Sequence, residues 1–518
     1  MDTRISRKEF VRIVSRGASG CVAASAIGAV GCAEPTGSAA VEAPKTSKKQ
    51  TAAELKGVTD ALVKFITGAT LQAFPGDVVA QGKRCLIDGF GVVLAGTTTP
   101  GSAIVRQYVT ATNQMKEASI LGPKPLMATA AHAALANGAA GHAMDFDDTQ
   151  LSTTPDRTYG LLTHPTIPAL AASLAVAERK GASGAEFLEA FLTGFEVECK
   201  IAEAIDPDHY RRGFHSSGTI GAFGAAACAA KLLKLDAAAV AHTLTITSSL
   251  SAGIRVNFGS MTKPLHVGRA AENGVFAAEL GSRGFTGGAE GLDGQWGFFQ
   301  VMGGGAEIDR LIPVLGKPYT IVNPGISIKP YPSGVLSHPS MDAMLDLVVK
   351  NDIKPEQIAA VRLRAGSNIL EPLRYKVAKT ELEAKFCVPF LLSSIILRRK
   401  AGIREFTDEF VSSEPVQKMI ERVTTVFDPK IEAMGFDKIR SVVEVDLTDG
   451  RKLTQASDDK YRGGPDKPFT RAELHERFID CATLVLSPDR AREALMQIET
   501  VDELNDIRGL TRTLSRPA

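Results

Sequence analysis

The chain has 518 residues, of which 44% are hydrophobic and 23% charged, as is typical of a soluble globular enzyme with more than one domain. The net charge is +1 and no basic block is interleaved with aromatic residues, which argues against a nucleic-acid partner. Iron–sulfur and structural zinc sites are poorly supported because no metal-type spacing occurs among the seven cysteines, Cys21, Cys32, Cys85, Cys199, Cys228, Cys387 and Cys481.

The first 32 residues have the pattern of an export signal. Basic residues precede a weakly apolar run from Gly17 to Val30, which is too short to span a bilayer. Arg7-Lys8 resembles a twin-arginine motif with lysine in second place, and Cys32 follows small residues as in a lipobox. We predict an exported protein, periplasmic or lipid-anchored through Cys32, or cytoplasmic if this segment is not functional. Residues 33–53 are predicted to form a disordered tether because of their Ala, Pro, Thr, Ser and Lys content.

Helical spacing of apolar residues dominates residues 54–324. The predicted helices lie within 53–96 and at Ser102–Asn113, Ala128–Ala143, Ile167–Lys180, Ser183–Asp206, 216–233, Asp236–Ser248 and Pro264–Leu280. Ser183 is a predicted N-cap. Alanine runs indicate helices that pack closely through small residues. Gly218, Gly221 and Gly224 are interpreted as helix–helix contacts, because a dinucleotide-binding loop would need a preceding hydrophobic strand.

The pattern changes after about residue 319. Val361–Ala365 and Ser441–Leu447 alternate as strands do, and the turn signal Thr448–Arg451 follows the second of them. A helix is predicted at Ser340–Val349, and helical spacing returns at Thr470–Ala482 and Ala491–Glu499. We therefore predict a mainly α fold, in which a large all-helical domain is discontinuous and a smaller α+β domain is inserted before its C-terminal helices.

A run of acids marks the end of the predicted helix before residue 144. If helical geometry continued, Asp145, Asp148 and Thr149 would stand at i, i+3 and i+4 and share a face. Acids at a helix C-terminus oppose the macrodipole, so this placement indicates function, with a solvated helix end as the alternative interpretation. A histidine, His164, follows after a short polar loop.

Cationic residues accompany three later segments. Pro264 favours a helix start that places Lys263 at its cap, and a helix N-terminus beside a lysine can bind an anion. Ser216 and Ser217 open another helix with His215 just outside it, and Lys329 stands in a rigid proline-rich turn. Two cationic helix starts would suit a ligand with more than one carboxylate.

Five ordered motifs resemble those of the MmgE/PrpD family. They are Gly141-His-Ala-Met-Asp-Phe-Asp-Asp-Thr149, His164-Pro165, Phe214-His215, Thr262-Lys-Pro-Leu-His266-Val-Gly268 and Lys329-Pro-Tyr-Pro332. The resemblance covers residues 54–485 and implies a homodimer that works without metal or organic cofactor. It also implies a helical domain in two parts, 54–324 and 464–518, a lid domain at 325–463, and an active site between the domains. The family includes 2-methylcitrate dehydratase and cis-aconitate decarboxylase.

The resemblance also implies roles for individual residues. His164 would be an acid/base, Asp145 and Thr149 would line the pocket, and Lys263 with His215 would hold carboxylate charge. The other implied substrate contacts are His266, Lys329, Tyr331, Ser333 and His338. Two positions depart from the family pattern. Ser333 stands where a cysteine is frequent, and Phe390 stands where a tyrosine is frequent, which weakens a decarboxylase interpretation that needs this hydroxyl.

The predicted function is that of a cofactor-independent lyase that abstracts a proton next to a carboxylate of a small di- or tricarboxylate. A 2-methylcitrate-dehydratase-like hydro-lyase is the first interpretation, and a decarboxylase, epimerase or isomerase of the same family is the alternative. A second alternative is an exported carboxylate-binding protein without catalysis. A third is a magnesium-dependent phosphatase, because Asp145–Thr149 fits the pattern D-x-D-x-T.

Overall fold

Helices carry most of the chain up to residue 301. The computed structural model describes residues 49–112, 115–151, 163–435, 438–458 and 460–515. The helices of its first part are α1 Val58–Gly68, α2 Gly76–Gly96, α3 Pro100–Thr112, α4 Ala130–Ala143, α5 Thr166–Lys180, α6 Gly184–Ile205, α7 Asp208–Arg211, α8 Ser216–Thr219, α9 Gly221–Leu232, α10 Ala237–Leu250, α11 Thr262–Gly281 and α12 Phe298–Val301. The mainly α prediction is confirmed.

The described chain begins inside the predicted tether. The predicted export signal, Cys32 and residues 33–48 lie outside the described residues. Lys49 Nζ donates to the carbonyl of Gly303 at 2.8 Å, and Gln50 N donates to the carbonyl of Ala306 at 2.9 Å. The predicted tether therefore ends earlier than residue 53. Composition could not show this, because it gives no information on contacts with a distant segment. Within the described part of the chain, no helix combines the length and apolarity needed to cross a membrane.

Local sequence signals set the limits of several helices. The Ser183 side chain accepts a hydrogen bond from Glu186 N while the Glu186 carboxylate accepts from Ser183 N, so the predicted N-cap of α6 is part of a capping box. Gly181 ends α5 in the left-handed conformation, with a φ of 63°. The predicted run 216–233 is divided at Ile220 into α8 and α9.

Small residues let the central helices approach closely. A Cβ atom on Gly268 of α11 would lie 2.5 Å from the carbonyl oxygen of Leu135 in α4. A Cβ atom on Gly224 of α9 would lie 2.7 Å from Glu198 Oε2 in α6, and one on Gly221 would lie 2.7 Å from Pro168. A Cβ atom on Gly218 would lie 2.8 Å from the Cβ atom of His266 in α11. The interpretation of Gly218, Gly221 and Gly224 as helix–helix contacts is confirmed, since a larger residue would push the helices apart.

The first part of the chain is not entirely helical, contrary to the prediction. Strands β1, Ala118–Ile120, and β2, Leu126–Ala128, form an antiparallel pair beside α4. Three residues are too few for alternation to be visible in a sequence. The turn signal between them, Gly122-Pro123, was the available evidence for a hairpin.

A four-stranded sheet organises the chain after residue 357. Its strands are β3 Ile358–Ala365, β4 Val423–Phe427, β5 Ser441–Leu447 and β6 Lys452–Ala456, in the order β4-β3-β5-β6. The β3–β4 pair is parallel and the other two pairs are antiparallel. Both predicted strands are present and the predicted turn joins β5 to β6, whereas β4 and β6 were not predicted. The helices around this sheet are α13 His338–Lys350, α14 Ser367–Leu370, α15 Glu381–Ala384, α16 Val388–Arg398, α17 Asp408–Ser412, α18 Glu414–Ile420 and α19 Pro429–Glu432.

The last helices return to the helical part of the molecule. They are α20 Arg471–Ala482, α21 Pro488–Glu499 and α22 Arg508–Ser515. Phe478 and Leu495 belong to the same hydrophobic cluster as Phe90 of α2, whereas the sheet and its helices have a cluster of their own that includes Val443 and Leu392. The described residues, from 49 to 515 with their gaps, form one compact unit. The boundaries of a lid at residues 325 and 463 stay a prediction.

Candidate active site

The turn after α4 carries the first predicted site residue. The helix ends at Ala143, and Asp145 has a φ of 51°, in the left-handed region that side chains other than glycine rarely adopt. The prediction that Asp145, Asp148 and Thr149 share a helical face is therefore wrong. Asp148 instead accepts a hydrogen bond of 2.5 Å from the hydroxyl of Thr166, and burial raises the pKa of its carboxyl to about 8.

Side chains from distant segments hold this turn in its unusual conformation. The last carbonyls of a helix lack partners within it, and cations near a helix C-terminus are favourable. Residues 143–148, here called the carbonyl turn, accept four such hydrogen bonds: Lys385 Nζ to Ala143 O at 3.1 Å, Lys329 Nζ to Asp145 O at 3.0 Å, Arg477 Nη2 to Phe146 O at 2.7 Å, and His164 Nδ1 to Asp148 O at 2.8 Å. The turn is thus stabilised by tertiary contacts.

Two lysines share the Asp145 carboxylate. Lys263 Nζ lies 2.5 Å from Asp145 Oδ1, and Lys329 Nζ lies 3.0 Å from the same atom, with all three side chains buried. Burial alone would raise the pKa of Asp145, but the charges of Lys263 and Lys329 outweigh it and hold the pKa well below its usual value. The carboxylate is therefore ionised, and it neutralises one of the two ammonium groups.

The position of Lys263 differs from the predicted helix cap. Helix α11 begins at Thr262, so Lys263 lies within its first turn, followed by Pro264, whose missing N–H is tolerated there. Its ammonium group lies 5.2 Å from the ring centre of Phe258 and 5.3 Å from that of Phe386. Of the two predicted cationic helix starts, this one has its lysine paired with Asp145, and the other, at His215, carries an imidazole whose pKa burial lowers well below 6.5.

His164 has the geometry of a neutral base. A carbonyl oxygen can only accept a hydrogen bond, so His164 Nδ1 carries the proton that it donates to Asp148 O, and Nε2 holds a lone pair. Burial lowers the pKa of His164 well below 6.5, although the charge of Asp147 opposes this shift. Thr149 Oγ1 lies 3.2 Å from Nδ1 and accepts from it, which leaves the threonine hydroxyl proton available.

A second histidine stands at the start of α8, as predicted. His215 precedes Ser216 in an extended conformation, and its Nδ1 lies 3.0 Å from Nδ1 of the half-buried His266. Its Nε2 atom is buried and has no partner among the described residues. Burial and then the charge of Lys263 lower the pKa of His215 well below 6.5. His215 is therefore a second neutral imidazole with an unpaired ring nitrogen.

These groups line one partly open cavity of about 40 Å³, enough for about three water molecules. Six of the ten predicted catalytic and substrate-binding residues are in its wall. The residues that line it are Asp145, Thr149, Thr163, His164, Tyr210, His215, Ser216, Ser217, Phe258, Lys263, Lys329, Gly334, Val335, Leu336, Pro372, Leu373 and Phe386. We call the polar part of this lining the polar wall; it includes Asp145, Thr149, His164, His215, Lys263 and Lys329. The apolar side chains Val335, Leu336, Leu373 and Phe386 belong to the same lining, and we call them the apolar wall.

Comparison with known proteins agrees with this arrangement. Residues 60–311 match the MmgE/PrpD N-terminal domain, and residues 331–503 match the MmgE/PrpD C-terminal domain. The chain belongs to the MmgE/PrpD family. The polar-wall residues from Asp145 to Lys263 lie within the first match and the apolar wall lies within the second, whereas Lys329 lies between the two matches.

Relatives of this MmgE/PrpD chain include three proteins named for one reaction. Cis-aconitate decarboxylase from Homo sapiens is 26% identical over 475 residues, which is 90% of this chain and 96% of the human protein. The enzyme of the same name from Mus musculus is 26% identical over 477 residues, with 90% and 94% covered. Cis-aconitate decarboxylase-like protein oryM from Aspergillus oryzae is 24% identical over 481 residues, with 88% and 97% covered. The family thus has lyase activity on carboxylates.

One buried pair in the MmgE/PrpD motif was not predicted as part of the site. His142 Nδ1 lies 2.8 Å from Asp147 Oδ2, and Asp147 also lies 3.6 Å from His164 Nδ1. The ring centre of His142 is 4.7 Å from that of His164 and 5.4 Å from that of His215. Burial lowers the pKa of His142 well below 6.5 and raises the pKa of Asp147. The presence of both residues in the Gly141–Thr149 motif was the signal that could have found them.

Four predicted substrate contacts lie outside the cavity wall. Tyr331 donates its hydroxyl proton to Asp342 at 2.7 Å, and Ser333 Oγ lies 3.3 Å from His338 Nε2. His266 stands behind His215. The structure places these side chains around the cavity, where they support its walls, and does not bring them to its surface.

The phosphatase alternative is wrong for this MmgE/PrpD chain. In the phosphatase fold the D-x-D-x-T residues follow a β-strand, whereas Asp145–Thr149 follow helix α4. A metal could contact His142, Asp145 and His164, whose ligand atoms lie within 4.8 Å of one another. Two ammonium groups already lie within 3.0 Å of the Asp145 carboxylate, however, and their charge disfavours a dication there. The metal-free site stays our prediction.

Phe390 does not have the significance that the family pattern suggested. Its ring is fully buried and packs edge-on against Phe406, with ring centres 5.3 Å apart, in the cluster beneath the sheet. It is not among the residues that line the cavity. The loss of a tyrosine hydroxyl at this position therefore provides no argument against decarboxylation, and the earlier inference is corrected.

Phe390→Tyr tests this placement. A hydroxyl buried in this aromatic cluster would lack a hydrogen-bond partner, so we expect the free energy of unfolding to fall by about 1–3 kcal/mol. The reaction catalysed should stay the same, because the ring does not line the cavity. Denaturant unfolding of the variant would be compared with that of Phe427→Tyr, whose parent ring is 52% exposed and whose expected change is within about 0.5 kcal/mol. A gain of activity in Phe390→Tyr would contradict the placement.

Proposed function

We propose that this MmgE/PrpD protein is a cofactor-independent lyase that transfers protons at a carbon next to a carboxylate. The observation that supports it is the convergence of a neutral base, His164, with two buried ammonium groups, Lys263 and Lys329, in one cavity. Removing a proton next to a carboxylate needs an unprotonated base and nearby positive charge for the resulting enolate. The polar wall supplies both.

The first candidate reaction is dehydration of a β-hydroxy acid. In this reaction Nε2 of His164 accepts the proton from the carbon next to the carboxylate, and the electron pair forms the new double bond. The departing hydroxyl takes a proton and leaves as water. The imidazolium of His164 formed in the first step is the acid that supplies this proton, and the neutral His215, in contact with His266, can bind the substrate through its unpaired ring nitrogen. Lys263 and Lys329 would stabilise the carboxylate charge that increases in the transition state.

Asp145 has a separate part in this proposal. Its carboxylate lies between the two ammonium groups and is a counter-ion to both. Burial lowers the pKa of Lys263, and the charge of Asp145 opposes this shift. Thr149, which accepts from His164 Nδ1, fixes the orientation of the imidazole and keeps its own hydroxyl proton for the substrate. These contacts position the base before substrate binds, which is where much of a catalytic effect originates.

Decarboxylation is the second candidate, because the relatives are named for it. In that reaction the bond to the departing carboxylate breaks, carbon dioxide leaves, and the electron pair remains on the neighbouring carbon. A histidine then donates a proton to that carbon. The same polar wall serves both reactions, so the product distinguishes them.

The experiment is proton NMR in D₂O on the purified chain with small hydroxy- and unsaturated di- and tricarboxylates. Deuterium incorporation next to a carboxylate supports the proposal, whether or not net reaction is favourable. Released bicarbonate identifies a decarboxylase, and an alkene without bicarbonate identifies a hydro-lyase. Stabilisation by an acid without exchange or product would instead establish the non-catalytic binding protein.

The pH dependence of turnover tests the neutral base. His164 must be unprotonated to accept a proton, so activity falls as the pH falls through its pKa. Because burial lowers that pKa well below 6.5, we expect the acid limb of kcat/KM to have its midpoint below pH 6.5. The profile would be recorded where circular dichroism shows intact structure. A midpoint at or above pH 6.5 would refute this assignment of the base.

A further inference from the structure

A buried histidine–aspartate pair lies directly behind the proposed base. His142 belongs to the last turn of α4, and Asp147 belongs to the carbonyl turn that follows it. Both side chains are fully buried, and neither lines the cavity. Asp147 Oδ2 lies 3.6 Å from Nδ1 of His164, and the rings of His142 and His164 meet edge-on. The pair therefore acts on Nδ1 of His164, whereas Nε2 is the nitrogen proposed to take the substrate proton.

The geometry of the pair indicates that Asp147 is a carboxylate that accepts from His142. His142 Nδ1 lies 2.9 Å from Asp147 Oδ1 and 2.8 Å from Oδ2, so it is almost equally close to both oxygens. An N–H group that donates between two carboxylate oxygens gives this arrangement, whereas a carboxylic acid would donate from one oxygen only. Burial raises the pKa of Asp147, and the charges of His164, Lys329 and Lys263 oppose that shift. The hydrogen bonds from His142 further favour the ionised form.

Positive charge on the cavity side opposes a proton on His164. Burial lowers the pKa of His164, and the charge of Asp147 opposes this shift. Lys329 and Lys263 lower the pKa further, and the counter-ion that these two lysines share is Asp145. Asp147 is therefore the carboxylate that is placed to balance an imidazolium at His164. The neighbouring histidines, which are neutral, are His142 and His215.

Three other buried acids near Asp147 do not replace it. Burial raises the pKa of Asp148 to about 8 and that of Glu198 well above its usual value, so both are protonated at neutral pH. The third acid, Asp88, is paired with Arg477 at 2.6 Å. Asp147 combines an ionised carboxylate with a position next to Nδ1 of the base.

We propose that Asp147, held in place by His142, is a positioning residue that stabilises the imidazolium formed when His164 takes the substrate proton. The inference rests on the proposed function, which makes His164 the base. The proton moves from the carbon next to the carboxylate to Nε2, and the electron pair of the broken C–H bond stays with the substrate. Nδ1 keeps its own proton and its hydrogen bond to Asp148 O. Asp147 thus receives no proton and acts through its charge.

Asp147→Asn removes the charge and keeps the shape of the side chain. We expect kcat to fall about tenfold or more, because His164 becomes a weaker base. KM should stay unchanged or fall, since the loss of a negative charge does not weaken the binding of a carboxylate. The midpoint of the acid limb of kcat/KM should move down by about 1–3 pH units, the effect of an opposite charge at this range.

The measurement is the rate of deuterium exchange into citrate and cis-aconitate at several concentrations. The pH range is the one in which circular dichroism shows intact structure, and loss of the acid limb from that range counts as a lowered midpoint. A midpoint that stays in place or rises would overturn the proposal, because a purely structural role lowers stability without moving it. If the limb lies below this range in the parent as well, an unchanged kcat in Asp147→Asn would overturn it.

Asp428→Asn is the matched control for the loss of a buried aspartate. Asp428 is 6% exposed and pairs with Arg364 of β3, outside the cavity lining. Its replacement should leave kcat within about twofold and the midpoint unchanged, even where stability falls. A midpoint that also moves in this variant would show that the pH dependence follows stability, and would overturn the assignment to Asp147.

Two replacements of His142 test its part in the pair. Asparagine can place its amide nitrogen where Nδ1 stands and donate to Asp147, so His142→Asn should keep kcat within about threefold. Leucine cannot donate, so in His142→Leu the buried carboxylate takes up a proton and the variant should behave as Asp147→Asn does. The losses should not add in the double variant, because one interaction is removed twice. Additive losses, or equal losses in His142→Asn and Asp147→Asn if His142→Leu does not fold, would refute the part of His142.

NMR titration of the substrate-free protein separates this inference from the proposed function. The Cε1 proton of His164 is assigned by its loss in His164→Gln, and its chemical shift reports protonation. If neither acid exchanges in the parent, the lyase proposal fails for these acids and the titration decides alone: a lower midpoint in Asp147→Asn upholds the role of its charge, and an equal midpoint overturns it. If the parent exchanges and Asp147→Asn matches it in both measurements, the lyase stands and the role of Asp147 is refuted.

Discussion

His164→Gln is expected to lower turnover by about 10²–10⁴-fold, the range that a positioned acid/base contributes. Glutamine can keep a hydrogen bond to the carbonyl of Asp148, but it has no group that accepts a proton near neutral pH. Deuterium exchange next to the substrate carboxylate should fall by the same factor. Substrate affinity should change little, because the charge of the cavity comes from Lys263 and Lys329.

His475→Gln is the matched control for this variant. His475 lies on α20, is about one-quarter exposed and pairs with Glu499 at 2.9 Å, remote from the cavity lining. Its replacement should leave turnover within about twofold, as is usual for a surface substitution. Full activity in His164→Gln, with the fold verified by circular dichroism, would show that His164 does not take part in proton transfer.

Asp145→Asn is expected to lower the free energy of unfolding by about 3–5 kcal/mol and to abolish most turnover. The asparagine has almost the same shape but no charge, so Lys263 and Lys329 would face each other in a buried site without a counter-ion. One of the two ammonium groups would then lose its proton or leave the site, and the positive charge needed by the enolate would decrease. Urea unfolding followed by fluorescence gives the stability change.

Asp346→Asn removes a carboxylate of the same type from an exposed pair. Asp346 Oδ2 lies 2.8 Å from Lys350 Nζ on α13, where the side chains are 55% and 65% exposed. Exposed ion pairs contribute about 0–1 kcal/mol, so this variant should be nearly as stable as the parent. If the free energy of unfolding falls by the same small amount in both aspartate variants, the buried cluster of Asp145, Lys263 and Lys329 does not contribute to stability as proposed.

The family motifs in the sequence were sufficient to predict that the reacting groups lie in one pocket. Asp145, His164, His215, Lys263 and Lys329 stand up to 184 positions apart, and the order of their motifs placed them in one pocket. The sequence could not show that both lysines would contact the same carboxylate oxygen of Asp145. The convergence of both lysines on one carboxylate depends on where α4 ends, and that end is determined by donors far along the chain.

Other differences between prediction and structure have related causes. The left-handed Asp145 was missed because local helix signals continue through it, while Lys329, Lys385 and Arg477 supply the hydrogen bonds that favour the turn. Phe390 was wrongly taken as an argument against decarboxylation, because a motif gives the residue at a position but not the direction of its side chain. The long, strongly periodic helices were predicted within a few residues, whereas the three-residue strands β1 and β2 were too short to leave a pattern.

The carbonyl turn also couples the reacting groups to distant parts of the chain. Its donors come from residues 164, 329, 385 and 477, and each of them satisfies an oxygen that would otherwise be buried without a partner. A movement that withdrew Lys329 and Lys385 to admit a ligand would remove an ammonium group from Asp145 and free two carbonyls at once. Such a movement would therefore link access to the cavity with the charge balance at Asp145 and with the conformation of the carbonyl turn.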